Sequence, residues 1–550
     1  MRNLLATMLV STLAMILSTV SPGICSFYEH ILWSLETSNG SNGIFPQSSV
    51  LLDQAGNIFG TAWEGGAYDS SGAVFEISAT GNKSVIWNFN GQNGAAPEGG
   101  LITDESGALY GTTSGGGAFA GGTVFRLMPP AAPGGEWTES VLWSFGNGDD
   151  GKGPIGSLIA DANGNLFGTT EFGGGSHNNG VVYELSPPPS ADGNWSESVL
   201  WTFGNPGDGA LPHAGLVMDQ NGDLYGTTQL GGPSYFGTVF ELTAPSSQGG
   251  SWSESIIWDF GDVNISGYSP NGNYPVGPLL MDRQGNLYGT TQAGGPGIGK
   301  PPLFAGTVFR LSPPSSGGET WNPSVLWKFG AGGGGAGPMG NLVMDANGNL
   351  YGTTVGVSGT KATPAGGILF ELSPGPGDNA LWSETTLWVF GRYLDGSGPG
   401  GGLTIDKMGN LYGTTVLGGL TARSTEGSGT VFEVSNVSAP SRATLEISPK
   451  TSQIRATIGS ATPGKTIVTL RNVTSYKAVV SITGINTETT AFTASQNCVG
   501  SLAPGKSCKV TVTFTPSEPG RFADILNVIS NAKIGALQKT QLIGIEKSVK

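Results

Sequence analysis

Charge is scarce in this 550-residue chain: 12% of residues are Asp, Glu, Lys or Arg, with 25 basic against 40 acidic. A formal net charge of −15 excludes the clustered cations that a phosphate backbone requires, so no nucleic-acid partner is expected. Histidine and cysteine are scarcer still, at three each. With neither His-Glu-x-x-His nor Cys-x-x-Cys, the familiar zinc and thiol-redox patterns have no ligands. A Gly-x-Ser-x-Gly elbow and a phosphate-cradling glycine loop leading into a helix are missing too. No cofactor and no metal are expected. Beyond residue 26 no run is long and apolar enough to span a membrane, and no helix-period pattern appears.

Glycine (93) and proline (34) are what the chain has instead. They recur in register with short apolar runs, so they read as turns and close approaches. Seven times the chain returns to Leu-Trp-x-Phe, Gly-Leu-x-x-Asp-x-x-Gly-Asn-Leu-Tyr-Gly-Thr-Thr, Gly-Gly and Gly-Thr-Val-Phe-Glu-Leu. The Tyr-Gly step falls at Phe59-Gly60, Tyr110-Gly111, Phe167-Gly168, Tyr225-Gly226, Tyr288-Gly289, Tyr351-Gly352 and Tyr412-Gly413. In the third of these units, candidate strands occupy 157–160, 165–170, 180–185 and 198–203, with a tight turn at Asp161-Ala162-Asn163-Gly164-Asn165. A period this long, built of four strands, predicts a seven-bladed β-propeller over residues 27–436, one repeat per blade.

The phase of the repeat follows from one position. The x of Leu-Trp-x-Phe is Ser34, Asn88, Ser144, Thr202, Asp259, Lys328 and Val389. Tolerance of Asp, Lys and Val there predicts solvent contact, so this strand is expected outermost and the small-residue Gly-Leu-x-x-Asp strand innermost. The chain would then open with an outer strand, 31–35, that completes the blade begun at Gly402. The alternative phase keeps each blade contiguous from Trp to Phe-Glu-Leu. The first phase puts the Gly-Gly loops and blade-to-blade links on one face. That face gathers Glu171, His177, Asp149, Asp150, Asp208, His213, Tyr235, Asp262, Tyr274, Arg392 and Asp395.

The little charge there is divides unevenly. Residues 27–442 carry 12 Lys and Arg against 35 Asp and Glu, a net of −23, whereas 443–550 carry 12 against 5, a net of +7. Two solvated surfaces of opposite sign are the plain reading, and docking of the basic end on anionic envelope polymers the sharper one. Residues 1–26 read as an export signal, with Arg2 before an apolar stretch from Leu4 to Val20 and a small-residue exit at Ser21-Pro22-Gly23. Beyond it only Cys498 and Cys508 remain, and an even pair in an exported chain favours a disulfide. The protein is therefore expected outside the cytoplasm, secreted or at the cell surface, as a monomer.

The repeat resembles that of the choice-of-anchor tandem repeat GloVer-containing proteins, on Asp-x-x-Gly-Asn-Leu-Tyr-Gly-Thr-Thr followed by Gly-Thr-Val-Phe. That resemblance implies an exported bacterial repeat protein and brings no activity with it. A second covers 443–545. There Leu445-Glu446-Ile447-Ser448-Pro449, Thr469-Leu470-Arg471-Asn472, Cys498, Leu502-Ala503-Pro504-Gly505-Lys506-Ser507-Cys508 and Val512-Thr513-Phe514-Thr515-Pro516 are similar to the choice-of-anchor D module. It implies an immunoglobulin-like β-sandwich over 444–546, after a linker at 437–443, with a Cys at each of the two positions.

Chemistry is weighed by what breaks the repeat. The seven turn acids (Asp53, Asp104, Asp161, Asp219, Asp282, Asp345 and Asp406) are expected to accept backbone N–H bonds. A calcium loop from Asp161 would need a bidentate acid where Phe172 stands. The Leu-Trp-x-Phe tryptophans belong to the core between blades. Trp137, Trp195, Trp252, Trp321 and Trp382 are either edge covers or ligand platforms. His177 and His213, with Asp208, Glu171, Asp149 and Asp150, form the candidate ligand-binding set, and no catalytic residue is assigned. The function expected is a non-enzymatic interaction protein whose propeller face recognises a protein or glycan, with the sandwich as spacer or envelope attachment. A carbohydrate-active lyase or hydrolase and a purely structural or adhesive component are the alternatives.

Overall fold

A computed structural model describes the chain outside residues 1–26, 36–42, 69–70, 133, 191–192, 248, 262–268, 270, 296–304, 315–319, 331–334, 357–365, 376–380, 392–394, 420–427, 437–444, 458–462, 474–479, 488, 490, 496, 504, 517–520, 531–536 and 547–550. The export signal, the 437–443 linker, Asp262 and Arg392 thus lie outside the described residues.

The protein is all-β, with a single turn of 3₁₀ helix at Gly175–His177 and no α-helix among the described residues. Residues 27–436 form seven four-stranded antiparallel sheets. In chain order sheets 1 to 6 occupy 51–88, 102–144, 159–202, 217–259, 280–328 and 343–389. Sheet 3 shows the plan: Ile159–Ala160, Leu166–Thr170, Val181–Ser186 and Ser196–Thr202 pair in sequence. Sheet 7 takes three strands from 403–436 and its fourth from the start of the chain. Phe27–Ser34 pairs antiparallel with Thr430–Asn436, Ile31 opposite Phe432 and Trp33 opposite Val431. The strand phase read from the Leu-Trp-x-Phe position is the one observed.

The repeated residues explain themselves at this level. A Cβ on the glycine of Tyr-Gly would lie 2.4–2.6 Å from the third-strand aromatic ring, Phe75, Phe125, Tyr183, Phe240, Phe309, Phe370 or Phe432. Only glycine lets that ring lie flat across the second strand. On its other side the ring meets the Phe of the preceding Leu-Trp-x-Phe: Phe89–Phe125, Phe145–Tyr183, Phe203–Phe240, Phe260–Phe309, Phe329–Phe370 and Phe390–Phe432 have centroids 4.8–5.2 Å apart. Each such contact joins one sheet to the next. Sheet 7 packs on sheet 1 in the same way, through Trp33, Leu35 and Val431 against Ile58, Phe75 and Ile77.

Residues 445–546 form two further sheets. Leu445–Ser448, Gly464–Asn472, Ser507–Phe514 and Phe492–Ala494 make one, and Thr451–Ala456, Leu537–Glu546, Arg521–Ser530, Val480–Thr487 and Gly500–Leu502 the other. Val468, Leu470, Val510, Val512, Phe514, Leu526, Val528 and Leu542 fill the layer between them. Cys498 and Cys508 are disulfide-bonded, with Cα atoms 5.8 Å apart. Among the described residues no helix is long and apolar enough to cross a membrane.

Candidate functional site

Each of the seven sheets is entered through an X-Pro step whose X residue has positive φ. Four of these are not glycine: Phe45 (56°), Ala96 (57°), Leu211 (56°) and Tyr274 (58°). Left-handed backbone at such residues costs energy, the more so before proline, and persists only where its surroundings enforce it. Here two hydrogen bonds do. The Ala96 N–H donates to Ser71 O of the preceding sheet at 3.0 Å, and Ala96 O accepts from Ser114 N–H at 3.0 Å. Leu211 repeats the pattern with Asn179 O (2.9 Å) and Gln229 N–H (3.0 Å). The proline is clamped as well, since a Cβ on Gly122, Gly180 or Gly237 would fall 2.7 Å from Cδ of Pro154, Pro212 or Pro275.

The residue after the proline is thereby fixed in place: Gln47, Glu98, Ile155, His213, Val276, Met339 and Gly400, one from each sheet. All seven line a single cavity of about 240 Å³. Beneath them, threonine hydroxyls tie neighbouring sheets, Thr112 Oγ1 to Gly156 O (3.1 Å), Thr169 Oγ1 to Ala214 O (2.8 Å) and Thr414 Oγ1 to Ser48 O (2.9 Å). The lining is lopsided. Gln47, Glu98 and His213 come from sheets 1, 2 and 4, whereas Val276, Met339, Val355 and Val416 come from sheets 5, 6 and 7.

The titratable groups at the cavity are perturbed. Burial raises the Glu98 carboxyl against the lowering effect of its hydrogen bond from Ser114 Oγ (2.8 Å). Glu171, from the next sheet, is raised by burial and then by the nearness of Glu98. Burial pushes His213 down, which favours its neutral imidazole. On the same side, the loops between second and third strands expose Tyr68, Phe119, Phe172 and Tyr235, the last 78% accessible. Backbone bridges such as Ala95 with Gly115 and Lys152 with Phe172 tie those loops to the entry segments, so loops and cavity share one face.

The residues singled out from sequence therefore separate. His213 lines the cavity, whereas Glu171 is not among the described residues that line it. His177 ends the 3₁₀ turn, exposed, against Gly204, and is not part of the lining. Asp150 and Asp208 hold their own links: Asp150 accepts from Trp143 Nε1–H (3.3 Å) and Gly146 N–H (3.0 Å), and Asp208 from Gly204 N–H (3.2 Å) and Gly209 N–H (2.8 Å). Asp149 is exposed beside them. The turn acids are saturated too. Asp161 Oδ1 accepts from Asn163 and Asn165 N–H, and its Oδ2 from both Asn side chains. Trp137 packs edge-on against Phe59 and Trp321 against Tyr225, so these two wedge between sheets. Glu98 and Gln47 were missed by sequence reasoning. The available signal was the position after an unvarying proline, where the repeat changes residue in every copy. Among the described residues no three His, Cys, Asp or Glu side chains group as metal ligands.

A larger groove, about 840 Å³, runs along the outer edge between sheets 2 and 3. Phe119, Arg126, Val141, Trp143, Pro187, Pro188, Pro189 and Trp195 are among its walls.

No curated protein matches this sequence. Among solved structures, PorZ, a surface component of the type-IX secretion system of Porphyromonas gingivalis, is similar at 12% identity and TM-score 0.43, over 91% of this chain and 59% of that one. An extracellular domain of a hybrid two-component system from B. thetaiotaomicron is similar at 13% identity and TM-score 0.41, over 95% and 58%. The chain thus spans under two thirds of either. The ASH/PapD-like domain of human CEP192 is similar at 16% identity and TM-score 0.17, over 21% and 92%. Residues 435–536 match the ASH model, described as abnormal spindle-like microcephaly-associated, ASPM-SPD-2-Hydin. The Gloeobacter/Verrucomicrobia repeat model matches 28–240, 132–361 and 196–432 in overlapping copies, and the chain belongs to that repeat family.

Proposed function

We propose that the seven sheets are the blades of a closed β-propeller over 27–436, and that 444–546 is an immunoglobulin-like sandwich. On this reading the protein is an exported, monomeric, non-enzymatic interaction protein. Its loop-bearing face recognises a protein or glycan, and the sandwich serves as spacer or envelope attachment. The packing of sheet 7 on sheet 1 supports ring closure, and the Cys498–Cys508 disulfide supports an oxidising compartment.

The observation that carries the binding reading is the axial cavity. A scaffold repeated seven times keeps its core residues and varies the post-proline position that lines the mouth, as expected where a rigid frame presents a recognition surface. A glycan array and a panel of envelope proteins, probed with the full-length protein, test it. Binding is expected to fall sharply in a Phe119→Ala, Tyr235→Ala variant that melts like the parent. Full retention of binding in that variant would move recognition off this face.

A hydrolase or lyase is the second reading, favoured by Glu98, a cavity carboxyl outside the repeat consensus that burial raises. Turnover of a polysaccharide that is lost in Glu98→Gln would promote it. Polysaccharide left intact by the parent protein would remove it.

A further inference from the structure

The axial cavity has an acidic side, an apolar side and no Lys or Arg among the described residues that line it. Glu98 accepts a hydrogen bond from the neutral Ser114 hydroxyl, and a carboxylate has capacity for several more. A carboxylate partly withdrawn from water is costly unless a cation meets it. The surrounding body, at a net of −23 over 27–442 (12 Lys and Arg against 35 Asp and Glu), draws cations toward this face and repels anions.

The apolar arc narrows the class. Val276, Met339, Val355 and Val416 offer hydrocarbon contact opposite the acid, which suits an alkyl stem carrying a charge at its tip. At about 240 Å³ the space falls below the roughly 300–1,000 Å³ of pockets that enclose whole small ligands. It is the size for one inserted side chain. The acceptors (Gln47 amide oxygen, Glu98 carboxylate and His213 imidazole) come from three different sheets. Such a spread matches the three diverging N–H donors of an ammonium better than the planar fork of a guanidinium. In loops of the same face, Tyr68, Phe172 and Tyr235 are exposed rings available for apolar and cation–π contact with the segment that carries the side chain.

We infer that the axial mouth of this face is an acceptor for a lysine side chain presented by a partner polypeptide, its ammonium held by Glu98 with Gln47 and His213 and its stem lying on the Val355–Val416 side. The inference rests on the propeller-face reading above and names the chemistry of its ligand.

Ligand-observed NMR on the full-length protein tests it, with Nα-acetyl-lysine methylamide as probe and its Nε-acetyl derivative as control. The lysine derivative is expected to bind and the acetylated one to bind about tenfold more weakly or not at all, with a similar loss in Glu98→Gln. Equal binding of both derivatives, or an unchanged Glu98→Gln variant of parental melting temperature, overturns the assignment. Spermidine binding more tightly than lysine-bearing peptides would replace the polypeptide with a free polyamine and so overturn the occupant. Concentration-dependent self-association abolished by the same variant would replace it with a second copy of this chain. The two levels separate cleanly. If lysine specificity is absent while Phe119→Ala, Tyr235→Ala still removes an array ligand, the face reading stands and the lysine acceptor falls. If neither variant changes any binding, both fall.

Discussion

Glu139, Glu197 and Glu254 occupy one repeat position, four residues before the Leu-Trp-x-Phe tryptophan, and each carries a buried Oε1 with no hydrogen-bond partner. Burial pushes all three carboxyls up to about 7; the nearby Asp150 adds to this for Glu197 and Asp208 for Glu254. A carboxyl whose folded pKa is raised gives stability that is fully present below its unfolded value near 4.5 and is lost as pH rises through about 7. With each group partly exposed, solvent screening brings the effect down to on the order of 1 kcal/mol apiece. Asp104 opposes this at the acid end. Burial alone would raise it, but hydrogen bonds from Ser106, Tyr110 and Ala108 outweigh that and lower it, so its contribution fades as pH falls through its folded pKa. The melting temperature is therefore expected to be higher near pH 5 than at pH 8. Glu139→Gln, Glu197→Gln, Glu254→Gln together should flatten that slope in a thermal melt series. A parent protein equally stable at both values would contradict the burial argument.

At the scale of the strand, two glycines per repeat decide whether sheets can stack. Gly226 lies under Phe240, where a Cβ would approach Cζ to 2.5 Å. Gly237 has φ +96°, and a Cβ there would meet Thr228 O at 2.4 Å and Pro275 Cδ at 2.7 Å. Overpacking alone costs about 1–3 kcal/mol, and Gly237 adds left-handed strain. In urea titrations both Gly226→Ala and Gly237→Ala are expected to lower the midpoint, Gly237→Ala by more. Gly222→Ala is the internal control. It shares a positive φ of 89°, but a Cβ there meets only Ala244 Cβ at 4.0 Å, so its loss reports backbone strain alone. Equal losses for Gly222→Ala and Gly237→Ala would mean that the proline clamp contributes nothing. These strands were legible in sequence because each constraint is local and recurs seven times. The mouth was not legible, since Gln47, Glu98 and His213 come together only through the stacking of different sheets. His177 and His213, neighbours by loop order, are parted because one follows a clamped proline and the other ends a surface turn.

For the whole molecule, the order of packing returns to its start through a strand that the chain lays down first. Phe27–Ser34 covers the full length of Thr430–Asn436. With the residue that follows it, this strand delivers Trp33 and Leu35, each less than 10% accessible, into the seam between sheets 7 and 1. Burying a large apolar side chain contributes roughly 1.5–3 kcal/mol. Two of them are thus a sizeable share of the roughly 5–15 kcal/mol total stability of a typical domain. Without this strand Thr430–Asn436 becomes a bare edge rich in Val and Phe, a template for intermolecular pairing. The strand phase argued from Ser34, Asp259, Lys328 and Val389 made this pairing visible in advance, although the solvent contact expected there is not met: Ser34 is buried and the other three are half-buried at the sheet edge. A chain lacking residues 27–35 is expected to lose its cooperative melt and aggregate. Trp33→Ala, a gentler cut at the same seam, should cost about 3–5 kcal/mol while staying folded. Trp143→Ala, the same residue type between two contiguous sheets, separates a closing strand from an ordinary one. If Trp33 is only one more inter-sheet contact, the two variants fall equally. If the first strand holds the ring shut, Trp33→Ala should also broaden the transition and raise hydrogen exchange in sheets 1 and 7 together, whereas Trp143→Ala should loosen only sheets 2 and 3. Identical exchange patterns around the ring for both variants would show that closure resides elsewhere.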